Sequence, residues 1–152
     1  MQWYHEIAMT RNPDYIIGGI ETPYMNRWWL VPRNPLMNIY LHQFLRDDED
    51  EALHDHPYAN ISYLLDGEYT EVTIAPGGVE HRRIAKAGSF KLRGPRFAHR
   101  IELHAGPAWS LFITGPRVRE WGFHCAKSGW RPWQQFVSER DKGLHGRGCG
   151  EQ

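Results

Sequence analysis

Leu53-His54-Asp55-His56-Pro57-Tyr58-Ala59-Asn60, running on into Ile61-Ser62-Tyr63-Leu64-Leu65-Asp66-Gly67, is the stretch that decides the reading of this chain. Side chains two residues apart on a strand point the same way, so His54 and His56 share a face. Neutral imidazoles aimed at one point can share a metal ion. A third histidine, His99, follows the stretch Gly88-Ser89-Phe90-Lys91-Leu92-Arg93-Gly94-Pro95-Arg96-Phe97-Ala98. A barrel that brings the three together is the expectation.

Outward from that stretch the chain reads as short strands punctuated by Gly and Pro. Residues 1–13 form an irregular or short helical lead-in, 14–21 a strand with a glycine break, and 24–31 an aromatic-rich strand. Residues 37–46 alternate, with Ile39, Leu41, Gln43 and Leu45 on one face and Tyr40, His42, Phe44 and Arg46 on the other. The five acidic residues 47–51 repel one another and read as a solvated loop. Strands 58–65 and 68–74 flank Asp66-Gly67, which reads as a tight hairpin turn. Further strands are expected over 79–85, 89–93, 97–104, 109–114 and 118–124. Residues 130–136 read as a short helix or capping segment whose aromatics close one end of the barrel. The fold class is therefore all-β, a sandwich or barrel. One domain is expected over 1–137, with a glycine-rich mobile tail over 138–152.

Composition narrows the partners. The 152 residues carry 18 acidic and 18 basic side chains, which leaves no basic footprint for nucleic acid. No run of about 18 apolar residues is present, so no membrane partner is expected. The N-terminus lacks a basic region followed by an apolar stretch, so no secretory signal is expected. Cys125 and Cys149 make no CxxC pair and no disulfide framework, and a cytoplasmic location is the default. Cys125 reads as a small buried hydrophobe, with His124 beside it keeping a site role open, and Cys149 as structurally idle.

The two histidine-bearing stretches resemble the cupin motifs. In G-x5-H-x-H-x(3,4)-E-x6-G, His54, His56 and Gly67 match, Asn60 stands where the glutamate usually is, and Asp48 replaces the first glycine. In G-x5-P-x-G-x2-H-x3-N, Gly88 and His99 match, while Gly94, Arg96 and Leu103 replace proline, glycine and asparagine. The resemblance covers roughly residues 36–114. It implies a cupin-type double-stranded β-helix, or jelly-roll barrel, with His54, His56 and His99 holding a divalent metal. Three-His cupins without the glutamate include Fe(II) dioxygenases, so the resemblance implies Fe(II) first, with Zn, Mn or Ni as alternatives. A homodimer is common in the family and is implied by analogy alone.

Three neutral ligands leave the ion its full double charge, which favours a small anionic substrate. His42 and Tyr58 are the first candidates for handling a proton. Arg27 and Arg93 are candidate anion clamps, because a guanidinium pairs two carboxylate oxygens at once; surface salt bridges are the competing fate. Trp121, with Phe123, either walls the pocket or belongs to the core. Asn60 either lends its carbonyl to the ion, hydrogen-bonds beside it, or is a plain inward polar residue. Asp55, between the two ligands, points away and reads as structural. Three functions compete: an Fe(II) dioxygenase, a non-redox isomerase or lyase, and a ligand-binding module without chemistry.

Overall fold

Two layers of antiparallel strands enclose the site in the computed structural model, which describes residues 1–48, 52–140 and 146–150. The chain opens with a helix, α1 (Trp3–Thr10), and continues through β1 (Tyr15–Ile17), β2 (Met25–Trp29), β3 (Asn38–Phe44) and β4 (Leu53–His54). Then follow β5 (Asn60–Asp66), β6 (Glu68–Ile74), β7 (Glu80–Lys86), β8 (Phe90–Arg93), β9 (Arg100–Leu103) and β10 (Ala108–Thr114). The chain closes with β11 (Gly122–Cys125), β12 (Gly129–Pro132) and the single turn α2 (Trp133–Phe136). Among the described residues, no helix is long and apolar enough to cross a membrane.

The first layer is a six-stranded sheet ordered β1-β2-β3-β10-β5-β8. Its outer face is apolar along the register, and α1 covers part of it. Tyr4 packs there against Trp28, Leu41 and Trp109, and the Trp28 and Trp109 rings stack at 5.8 Å. Leu41 is fully buried by this contact, worth about 2 kcal/mol. The alternation read over residues 37–46 thus has both faces covered, Leu41 under α1 and His42 toward the interior.

The second layer consists of two three-stranded sheets, β12-β11-β4 and β7-β6-β9. They meet through one backbone pair. His54 N donates to His99 O at 3.0 Å and His99 N donates to His54 O at 2.9 Å. Residues paired in this way present their side chains side by side on the same face. The seam between the two sheets therefore also delivers two of the three expected ligands.

Asp66-Gly67 does not close a hairpin. β5 pairs with β10 and β8, while β6 pairs with β7 and β9, so the chain changes layers at Gly67. Gly67 has φ +83, and a Cβ there would lie 2.7 Å from Pro107 O. Only glycine passes this corner without displacing backbone. The sequence signal located the bend correctly, but the partners of each strand are set by non-local pairing.

The cysteines also depart from expectation. Cys125 and Cys149 form a disulfide with Cα atoms 5.6 Å apart, so Cys149 is not idle. Both are buried beside Ala52, Phe123 and Phe136. Gly146 N and Gly148 N donate to Phe136 O, which ties residues 146–150 to α2. Residues 49–51 of the acidic run, and 141–145 and 151–152 of the tail, lie outside the described residues.

Candidate metal centre

His54, His56 and His99 converge. One ring nitrogen of each lies within 4.8 Å of the other two. The ring centroids of His54 and His99 are 4.9 Å apart, and His56 is 5.3 Å from each. His54 comes from β4 and His99 from the residue before β9, as cross-strand neighbours. His56 lies past the end of β4, where the chain has left the strand. The period-two argument therefore reached the right residues although only half of the motif is strand.

A carboxylate orients one of the rings. His99 Nδ1 hydrogen-bonds Glu71 Oε1 at 2.8 Å, while His54 Nδ1 lies at ion-pair distance, 3.2 Å, from Asp48 Oδ2. A carboxylate accepts only, so His99 Nδ1 carries the proton and its Nε2 is left bare. A carboxylate–histidine pair of this kind fixes the tautomer for metal binding. His56 Nε2 lies 3.1 Å from His99 Nε2. That is the separation expected of two nitrogens each about 2 Å from one shared ion. The three rings thus fit a divalent metal.

Electrostatics favour the neutral, ligating forms. Burial pulls His99 down to about 4, against the opposing pull of Glu71. His56 lies well below its ordinary value, through burial first and then the neighbouring His54 and His99. Glu71 is itself buried, which alone would raise it. The His99 hydrogen bond and the Arg93 charge outweigh that and hold it well below the usual carboxylate range.

Glu71 carries a network that the sequence did not reveal. Arg93 Nε donates to Glu71 Oε1 at 2.8 Å, Arg93 Nη1 donates to Ser62 Oγ at 2.7 Å, and Lys91 pairs with the other carboxylate oxygen. Arg93 lines the cavity, but its charge is matched by Glu71 in the wall. A glutamate amid Tyr69-Thr70 and Val72-Thr73 reads as a solvent-facing strand position. Its one signal is that it alternates with Tyr69 and Thr73 on a single face.

Asp55 is 1% exposed and works as structural support, as expected. It accepts from Gly122 N, Trp130 Nε1 and His124 Nε2, and pairs with Arg119. These contacts clamp the chain between His54 and His56 onto β11 and β12.

The cluster opens into a cavity of about 350 Å³ whose walls include Tyr58, Phe112, Trp121 and Phe123. Tyr58 stacks 6.0 Å from His56, and burial raises its phenol. Trp121 lies parallel to Trp133 at 5.9 Å, and both line the cavity. His42 and Arg27 also line the cavity, and Arg27 Nε donates to His42 Nε2 at 2.9 Å. Asn60 is not part of the cavity wall among the described residues. It is 2% exposed, beside Thr114 in the register, and neither of its amide atoms has a protein partner.

No protein-family model matches the chain and no curated protein sequence does. Solved structures do. The Fe(II) form of HppE superposes with TM-score 0.52 at 18% identity, over 68% of this chain and 58% of that one. An oxalate decarboxylase mutant of Bacillus subtilis gives 0.54 at 16% identity, over 76% of this chain and 30% of that one. An RmlC-like cupin from Shewanella frigidimarina gives 0.50 at 19%, over 68% and 85%. The match thus spans little more than half of the HppE chain and under a third of the decarboxylase. These likenesses establish the fold alone: the chain has the double-stranded β-helix architecture seen in such structures.

Proposed function

We propose that the protein is a metal-dependent oxidoreductase of the dioxygenase kind, with Fe(II) held by His54, His56 and His99 and a small anionic substrate. The observation that carries this reading is the carboxylate–imidazole hydrogen bond of Glu71 to His99, which presents a bare His99 nitrogen 3.1 Å from His56 Nε2 in a cluster completed by His54. A wall histidine needs no such arrangement. An Fe(II) ion held by three neutral ligands would supply an undiminished double charge and open positions for substrate. The fold shared with Fe(II)-HppE supports iron as the first choice.

The chain's own residues then have distinct tasks. Phe112, Trp121 and Phe123 would present an apolar wall beside a bound ion and limit the approach of bulk water. Of the two candidates for handling a proton, Tyr58 is the better placed. Its phenol stays protonated beside His56 and can donate to a substrate oxygen. His42 Nε2 is already engaged by Arg27, and burial followed by the Arg27 charge keeps the ring neutral.

The test is to purify the untagged chain and measure metal per chain, then follow oxygen uptake with thiols, diketones and aromatic acids. Near-stoichiometric iron and substrate-dependent oxygen loss support the proposal. Bound zinc, manganese or nickel without oxygen loss moves the reading to a non-redox isomerase or lyase. No metal, and no uptake on addition, leaves a ligand-binding barrel.

A further inference from the structure

Across the Phe112 ring from the imidazole cluster, the inner face of the six-stranded layer carries a second polar feature. Arg27 on β2 stands opposite His42 on β3, and His42 stands opposite Ser110 on β10. All three line the cavity. Cross-strand neighbours on one face have Cβ atoms about 5 Å apart, so the three polar ends form one row.

The hydrogen bonding of the row leaves its donors unspent. Arg27 Nε donates to His42 Nε2, which places the neutral ring's proton on Nδ1. His42 Nδ1 and Ser110 Oγ make no hydrogen bond to a described residue, although the two side chains are 3% exposed. The terminal nitrogens of Arg27 have no carboxylate within ion-pair distance among the described residues. The central guanidinium carbon of Arg27 lies 4.9 Å from the centre of the Tyr40 ring. The other cavity arginine beside the cluster, Arg93, is by contrast matched by Glu71. A half-buried cation on the cavity wall with no carboxylate at ion-pair distance is stabilised when an anion joins it.

The donor set also selects the anion. One guanidinium beside two neutral donors supplies a single positive charge. A planar carboxylate matches both that charge and the guanidinium fork. A phosphate or phosphonate dianion would bring an excess negative charge between Phe44 and Phe112. The spacing to the imidazole cluster is set by Phe112, whose centroid lies 5.0 Å from His42 and 5.6 Å from His56. A substrate gripped by the row therefore extends past one aromatic ring to reach the cluster.

We infer that Arg27, His42 and Ser110 form a carboxylate-binding row, and that the substrate is a small monocarboxylic acid with an apolar body. Its carboxylate sits on this row, and a different group of the molecule faces the three imidazoles. The orientation toward the metal rests on the function proposed above; the row itself does not.

The test titrates the full chain, metal-free and Zn(II)-loaded, with benzoate, its neutral isostere benzamide, and phenylphosphonate, by calorimetry. Benzoate is expected to bind the metal-free chain about tenfold tighter than benzamide or phenylphosphonate. Arg27→Gln should bring benzoate to the benzamide level and leave benzamide unchanged. Arg27→Lys should recover only part of the preference, and Ser110→Ala should lower it by about threefold. Zn(II) loading should leave the preference in place. The inference is overturned if neither aromatic probe binds, if benzoate and benzamide bind alike, or if the preference survives Arg27→Gln. It is also overturned if the preference appears only with Zn(II), because the anion then sits on the ion. Should Arg27→Gln not fold, an unchanged preference in Ser110→Ala overturns it as well. A chain that takes up no metal yet prefers benzoate would sink the proposed function and keep the row.

Discussion

Glu71 Oε1 sits 2.8 Å from His99 Nδ1, and the same carboxylate pairs with both Arg93 and Lys91. One buried side chain therefore sets the tautomer of His99 and holds two cations in the wall. Glu71→Gln keeps the size and an acceptor oxygen but removes the charge. It should weaken metal binding by about tenfold or more, read by competition with a chelator. Glu71→Ala additionally strands Arg93 and should cost about 3–5 kcal/mol of stability by denaturant titration. Unchanged metal affinity in Glu71→Gln would remove Glu71 from the site.

Metal should stabilise the folded chain by linkage. At about 100 times its dissociation constant, an ion that binds only the folded state adds about 2.7 kcal/mol. His54→Ala or His99→Ala should abolish most of that increment. Paired denaturation curves with and without Zn(II) check it, and a midpoint that ignores the ion contradicts the ligand set.

The metal-free protein should be acid-sensitive in a particular window. His99 titrates at about 4 when folded, below the ordinary histidine value of about 6.5 expected in the unfolded chain. Its folded value is depressed, so between those values the unfolded state binds more protons and stability falls as pH falls. The contribution is complete above about pH 6.5 and lost on the way to about pH 4, with a magnitude of a few kcal/mol. His56 is shifted the same way and adds to the slope. Glu71, depressed as a carboxylate, adds a further loss at still lower pH. Stability measured from pH 7 to 4 should slope less in His99→Asn than in the parent; an equal slope would place the titration elsewhere.

Asp55 offers a test of the scaffold apart from the ligands. Asp55→Ala removes the acceptor for Gly122 N, Trp130 Nε1 and His124 and leaves Arg119 without its carboxylate. A loss of about 3 kcal/mol is expected. Metal affinity should fall too, because the chain joining His54 to His56 loses its clamp. Full metal affinity in a folded Asp55→Ala chain would separate scaffold from site.

The Cys125–Cys149 bond closes a loop of 24 residues in sequence, worth about 3 kcal/mol by chain entropy. Cys149→Ser, or reduction, should lower the melting temperature. The Trp133–Phe136 end of the cavity should also become more labile to hydrogen exchange. Protection there that does not change would mean α2 is held by packing alone.

Much of the fold was legible in the chain because its signals are local. Gly/Pro punctuation and alternation placed β6 at its exact limits and most other strands within a residue or two. The imidazole cluster was legible because three histidines fall at motif spacing. What escaped depends on neighbours distant in sequence. β4 has only two residues and is defined by pairing with β11, so no periodicity could announce it. Glu71 becomes a site residue only when β9 is laid beside β6. The partner of Cys125 lies in a glycine-rich stretch whose composition argues for looseness, and only the docking of residues 146–150 on Phe136 brings it near. Ser110 belongs to a polar row that exists only once β2, β3 and β10 are in register.

Where β4 meets β9, the direct strand pairing is the reciprocal bridge of His54 and His99. An ion gripping both imidazoles would act as a rivet through that joint. Emptying the centre and unzipping the barrel wall then become one event, and a chain stripped of its ion should breathe along this line before it loosens anywhere else.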